Sequence, residues 1–205
     1  MFYGFVLSLA WLLWHLGFRI EVIGKENLIK DRGFVLCPNH ISAIDPCFVV
    51  VARYWGKKLL VLGKQELFEK NWFFNWFFKK VGVVPVARGK GDTTVVDNAI
   101  QEVKNGRGLL IFPEGTRTKD GNLGKLKSGA FVIASAANVD MIPCRIIYKG
   151  GKMKLFGRCT VVFGKPIPKE DLALGEQRSA AMLRACKQRL ADELEALLEA
   201  NKQYL

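Results

Sequence analysis

Short apolar runs that stop at proline or glycine, alternating with stretches of helical spacing, constrain this chain more than any other feature. Phe34-Val35-Leu36-Cys37 ends at Pro38, and Leu59–Leu62 ends at Gly63. Gly82–Val86 and Leu109–Phe112 repeat the pattern, and Asp140–Tyr148 and Lys154–Phe163, joined through Gly150-Gly151, extend it. Runs this short and apolar read as strands buried on both faces, as in parallel sheets. Helical patterns lie between them. Pro46–Tyr54 is closed by Gly56, a helix opened by Asp92 turns Val95, Val96, Ala99, Ile100 and Val103 to one side before Gly106, and Ser128–Ala137 follows. Glu176–Leu198 is amphipathic, with Leu183, Leu190, Leu194 and Leu197 on one face. Strand–helix alternation predicts an α/β fold, a single domain with a central, largely parallel sheet flanked by helices. The chain has 205 residues, half of them hydrophobic, without a linker or an internal repeat, so one core suffices.

The beginning of the chain stands apart. Phe2–Phe18 contains no Lys, Arg, Asp or Glu. A spanning helix needs about 20 apolar residues, with a lower limit near 17. This segment sits at that limit and is interrupted by Gly4, Ser8, His15 and Gly17. It lacks the basic start and small-residue cleavage site of a signal peptide. The expectation is an N-terminal membrane-associated helix over residues 1–20 that stays attached to a domain over residues 21–205. A buried core helix and a cleaved signal are the alternatives. If the segment spans, Arg19, Lys25, Lys30 and Arg32 hold the rest of the chain on the cytoplasmic side. Asn71–Phe78 reads NWFFNWFF between Lys70 and Lys79-Lys80. Such a segment suits a headgroup layer, with core packing of some rings as the alternative.

Charge narrows the partners. Thirty-one Lys and Arg against nineteen Asp and Glu leave a formal charge of +12, which suits an anionic membrane surface or another polyanion. Nucleic acid is a distant alternative, because no binding motif or basic–aromatic stacking element accompanies the charge. The five cysteines are scattered without a C-x-x-C pair, and His15 and His40 are the two histidines. Buried free thiols and no metal site are the expectation.

Two loops carry the chemistry. Asn39-His40-Ile41-Ser42-Ala43-Ile44-Asp45 directly follows an expected strand, where α/β proteins place their sites. His40 suits a general base, and a loop that folds back brings the Asp45 carboxylate to its second ring nitrogen. The bland alternative is that Asp45 caps a helix and His40 is a turn residue. The chain has no G-x-S-x-G elbow to supply a nucleophile, which leaves that role to a substrate hydroxyl. Phe112-Pro113-Glu114-Gly115-Thr116-Arg117-Thr118 follows another strand. There Gly115 permits close backbone approach and Arg117 offers a planar, bidentate phosphate donor.

NHxxxxD and FPEGTR occur together with Gly63-Lys64-Gln65-Glu66-Leu67-Phe68, with Gly82–Arg88 and with Ile142-Pro143-Cys144. In these ordered blocks the chain resembles the PlsC-type glycerolipid acyltransferases, which include the 1-acylglycerol-3-phosphate acyltransferases. The resemblance runs from about Val22 to about Pro166. It implies transfer of a fatty acyl group from acyl-CoA or acyl carrier protein, as co-substrate, to the sn-2 hydroxyl of a lysophosphatidate-type lipid. The product would be phosphatidic acid, in phospholipid biosynthesis. Glycerol-3-phosphate or another lysolipid is the alternative acceptor. It further implies that His40 is the base and Asp45 its orienting partner. Arg88, Glu114, Gly115 and Arg117 match positions linked to the acceptor and its phosphate. Lys64 and Lys127 are weaker anion contacts, with solvated lysines as the alternative. Neither cofactor, metal nor covalent acyl-enzyme is implied. Backbone N–H groups near Gly115, or a basic side chain, would face the oxyanion. Pro85, Ala87 and Ile41 depart from the family pattern and leave the acceptor open.

Overall fold

The computed structural model describes residues 2–54, 56–69, 71–86, 93–118, 121–174 and 179–205. The chain runs as α1 (Phe2–Gly17), β1 (Arg19–Ile23), β2 (Phe34–Pro38), α2 (Asp45–Ala52), β3 (Leu60–Lys64), α3 (Glu66–Glu69), α4 (Trp72–Val81), β4 (Val83–Val86), α5 (Thr93–Lys104), β5 (Gly108–Leu110), α6 (Gly129–Ala137), β6 (Met141–Tyr148), β7 (Arg158–Phe163) and α7 (Ala180–Glu199). Arg88 and the expected helix openers Asp92 and Glu176 lie outside the described residues.

The strands form one sheet in the order β1-β7-β6-β2-β5-β3-β4, parallel at every pairing except β6 with β7. Strand side chains alternate between faces, and both faces are covered. Val35, Cys37, Leu109 and Met141 pack beneath α5, α6 and α7 with Ile100, Val103, Phe131, Leu190 and Leu194. Phe34, Leu36, Leu110 and Ile142 face the other way, towards Phe48 and Val49 of α2 and towards Trp14 and Phe18. Phe48 is fully buried, with the Phe18, Tyr148 and Trp14 rings 4.9, 5.5 and 6.2 Å from its own. Burial of such a ring contributes about 1.5–3 kcal/mol. It holds α2, and with it Asp45, against the sheet.

The structure differs from the sequence expectations in places with local causes. The boundary expected at residue 20 falls inside β1, an edge strand paired in parallel with β7. Its pattern, Arg-Ile-Glu-Val-Ile with mostly half-buried side chains, alternates as a strand should, but it is only five residues long and follows directly on the apolar Phe2–Phe18 segment. The strand expected from Lys154 begins at Arg158, because Phe156 takes a left-handed φ of 60° and the chain turns at Gly157. All five cysteines are unpaired, and Cys37, Cys144, Cys159 and Cys186 are buried.

The two apolar segments are both helices. On α1, Trp14 packs inward on Phe48, whereas Phe5, Leu9, Leu12, Leu13 and Leu16 are exposed. The core-helix alternative accounts for the first stripe and not the second. Among the described residues no helix is long and apolar enough to cross a membrane. On α4, the Asn71 side chain accepts from the Phe74 N–H at 2.9 Å and Gly82 closes the helix at φ 96°. Its rings divide: Phe78 packs on Phe68, and Trp76 meets Phe2 of α1 at 5.3 Å, while Trp72 is 80% exposed.

Candidate active site

His40 and Asp45 meet because the chain folds back between β2 and α2. Asp45 is fully buried, and its Oδ2 accepts from Ile41 N–H at 2.7 Å, from Ser42 N–H at 2.8 Å and from His40 Nδ1 at 2.9 Å. These donors lie upstream of the helix, so Asp45 ties down the loop before α2 instead of capping the turn after it. The bond to a carboxylate holds the proton on Nδ1 and leaves Nε2 as the basic nitrogen. The His40 ring also stacks on Phe112, with centroids 4.1 Å apart.

A residue that sequence reasoning missed completes the carboxylate's shell. Tyr148, at the end of β6, donates its hydroxyl to Asp45 Oδ1 at 2.5 Å. Burial, the nearby Asp45 charge and this bond push the phenol far above its usual range, so it stays a donor. Asn39 was also passed over. It is buried and clasps β6 through Ile146, accepting from its N–H at 2.7 Å and donating to its carbonyl at 3.2 Å. An aromatic at the end of an apolar strand reads as core, and Tyr148 lies over a hundred residues from Asp45, so no local signal marks it. Tyr148→Phe orphans a buried carboxylate oxygen. We expect it to cost about 1.5–3 kcal/mol of stability, the worth of a hydrogen bond to a charged group. Urea denaturation measures this, and an unchanged midpoint would show that the bond carries nothing.

The FPEGTR loop is built onto the same floor. Glu114 is almost wholly buried, with Oε1 accepting from the His40 N–H at 2.7 Å and Oε2 from the Gly124 N–H at 2.7 Å. Burial pushes its carboxyl up, and these two bonds, His40 and Arg145 pull it back only in part. Glu114 is therefore a clasp between the two loops, and a buried carboxylate with both oxygens engaged is not placed to receive a phosphate. Thr118 completes the clasp, its N–H donating to the His40 carbonyl at 2.9 Å. Gly115 sits at φ 67°, and a Cβ there would lie 2.9 Å from Lys127 Cδ. Its own N–H is spent on the Phe112 carbonyl at 3.0 Å, which leaves the expected oxyanion donors to other groups near it.

These loops line an open pocket of about 780 Å³ at the carboxyl ends of β2, β3 and β5. His40, Ser42, Lys64, Thr116, Arg117 and Lys152 are on its wall, and among the described residues no carboxylate is. Lys64 and Arg117 thus share the pocket with the histidine, and so does Lys152, which was not among the candidates. Lys127 lies against the Gly115 turn, outside the pocket wall. Arg88 remains outside the described residues. The arrangement offers a base next to a cationic, anion-accepting hollow. Among the described residues no group of His, Cys, Asp and Glu is arranged to hold a metal.

Comparison with known proteins places this geometry. The acyltransferase family model matches residues 19–147, which carry both loops and β6 up to the residue before Tyr148. A 1-acyl-sn-glycerol-3-phosphate acyltransferase of Bacillus subtilis is 32% identical over 190 residues, covering 88% of this chain and 90% of that protein. The chain belongs to the PlsC-type acyltransferase family. It is an O-acyltransferase. A chloroplastic 1-acyl-sn-glycerol-3-phosphate acyltransferase of Arabidopsis thaliana is 30% identical over 174 residues, and there the acyltransferase described here spans 48% of the plant protein's length. Its fold matches that of the crystal structure of PlsC from Thermotoga maritima, with a TM-score of 0.67, 24% identity, and coverage of 95% of this chain and 81% of that one.

Proposed function

We propose that this acyltransferase moves a fatty acyl group from a thioester donor, acyl-CoA or acyl carrier protein, to the sn-2 hydroxyl of 1-acylglycerol-3-phosphate, yielding phosphatidic acid. The observation that carries the reading is the His40–Asp45 pair opening onto a pocket whose described charged residues, Lys64, Arg117 and Lys152, are cations. Nε2 of His40 takes the proton of the attacking hydroxyl, and the hydroxyl oxygen forms the bond to the thioester carbonyl carbon. Asp45, held by Ile41, Ser42 and Tyr148, supports the imidazolium that results. Lys64, Arg117 and Lys152 supply positive potential for the oxyanion and the acceptor's phosphate. Collapse of the tetrahedral centre breaks the carbon–sulfur bond, and the carrier thiol leaves with the proton from His40. The function is tested with the purified full chain, crossing lysophosphatidate, glycerol-3-phosphate and monoacylglycerol with acyl-CoA and acyl carrier protein donors. A wild type that transfers no acyl group to lysophosphatidate ends this reading.

The acceptor's phosphate is assigned to Arg117. Its fork binds a phosphomonoester in two places, whereas lysine keeps the charge and loses the geometry. Arg117→Ala is expected to cost about 2–3 kcal/mol in kcat/KM for lysophosphatidate, with Arg117→Lys in between. Monoacylglycerol, which has no phosphate to lose, is expected to be used almost as before. Equal losses on the two acceptors would move Arg117 to the support of its loop or of the acyl donor.

The enzyme is further proposed to work on an anionic membrane surface, with the outer stripe of α1 and the exposed rings of α4 in the interfacial layer and the catalytic domain on the cytoplasmic side. Support comes from the exposed Phe5, Leu12, Leu13, Leu16 and Trp72 and from the net charge of +12.

A further inference from the structure

We propose that the turn between β6 and β7, residues 149–157, is a membrane-inserted wedge that seats the pocket mouth on an anionic lipid surface. This rests on the lipid-acylation reading above. The turn and the first residue of β7 read Lys149-Gly150-Gly151-Lys152-Met153-Lys154-Leu155-Phe156-Gly157-Arg158, four cations with no acid. Leu155 is 66% exposed and Phe156 70%, as large an apolar exposure as any on α1. Phe156 holds φ at 60°, a region that a bulky residue occupies only where its surroundings impose it. Here the surroundings are the end of α1. The Phe156 N–H donates to the Gly17 carbonyl at 2.7 Å, and the Arg19 N–H donates to the Gly157 carbonyl at 3.0 Å.

This stitching gives the turn two neighbours. On one side is the end of α1, where a Cβ on Gly17 would lie 3.8 Å from Leu155 Cδ1, next in the chain to the exposed Leu16. On the other, Lys152 and Met153 line the pocket together with His40. The apolar outer stripe of α1 therefore continues through Leu155 and Phe156 to the pocket wall. Two apolar side chains at the tip of a turn, flanked in the chain by the exposed Lys149, Lys154 and Arg158, match the layering of acyl chains beneath anionic headgroups. An acidic carrier protein would engage the cations but leave Leu155 and Phe156 without a partner. A second copy of this chain would bring its own like charge to the same place.

The test uses the full chain, Leu155→Ser, Phe156→Asn and the double variant. Asparagine tolerates the left-handed backbone, so Phe156→Asn keeps the experiment decisive should the double variant fail to fold. Binding to phosphatidylglycerol–phosphatidylcholine vesicles is measured by co-sedimentation. Acyl transfer is measured to long-chain lysophosphatidate in those vesicles and to a short-chain lysophosphatidate dissolved as monomers. We expect the double variant to bind the vesicles about tenfold more weakly and to lose a similar factor in rate on the vesicle-borne acceptor. Its rate on the monomeric acceptor is expected to be unchanged, with Phe156→Asn intermediate. Vesicle binding equal to that of the wild type overturns the wedge. So does a loss confined to acyl carrier protein as donor, or a change in oligomeric state without vesicles, since each hands the turn to a protein partner. A wild type inactive on both acceptors ends the acylation reading, while the co-sedimentation still decides the wedge.

Discussion

Replacing His40 by alanine is expected to lower kcat about 10²–10⁴-fold, the worth of a positioned general base. The ring is mostly covered, with 16% of its surface exposed, so the variant also loses its stack on Phe112. Its stability is therefore measured beside its activity. The loop itself is held by other groups: Glu114 and Thr118 bond the His40 backbone, which alanine retains. We expect a folded protein that still binds the acceptor but scarcely turns it over. A folded His40→Ala enzyme with near-normal kcat would remove the base from the mechanism and transfer the role to another pocket residue.

Asp45 carries the second large effect, and the two obvious substitutions differ. Asp45→Ala strips the acceptor from the Ile41 and Ser42 N–H groups, from His40 Nδ1 and from the Tyr148 hydroxyl at once. It is expected to bring kcat/KM close to the His40→Ala level and to destabilise the loop as well. Because the two residues act as a unit, the double variant should be little worse than either single one. Asp45→Asn is milder. Two backbone N–H groups converge on Oδ2, so the amide must turn its oxygen to them and to the histidine, and its NH₂ to Tyr148. The Nδ1–H tautomer survives, and only the charge that stabilises the imidazolium is lost. An about 10–100-fold fall in kcat with KM little changed is expected from loss of a charge-assisted bond. An Asn variant as poor as the alanine one would mean that the amide sits the other way and holds the wrong tautomer.

Much of this was legible in the chain. The strand runs 34–37, 59–62, 82–86, 109–112 and 140–148 each found a place in the sheet, because a short apolar run bounded by turn residues has a signature that needs no context. NHxxxxD and FPEGTR marked the two loops for the same reason, since their chemistry lies within a few residues. β1 was missed because its five alternating residues follow directly on the apolar Phe2–Phe18 segment. The turn at Lys154–Gly157 was read as strand because a left-handed phenylalanine has no sequence signal.

Glu114 shows the boundary most clearly. By itself the sequence set the layer architecture, the pairing of His40 with Asp45, and a loop carrying Arg117, all properties of residue type and short spacing. Whether Glu114 met substrate or backbone depended on where β2 and β5 lie side by side. That adjacency brings the His40 N–H, 74 residues away in the chain, to its carboxylate. Tyr148 reaches Asp45 across 103 residues in the same way, through the pairing of β6 with β2. A buried carboxylate must be satisfied by whatever donors the fold delivers. Those donors come from strand order, and strand order is decided by packing the whole sheet.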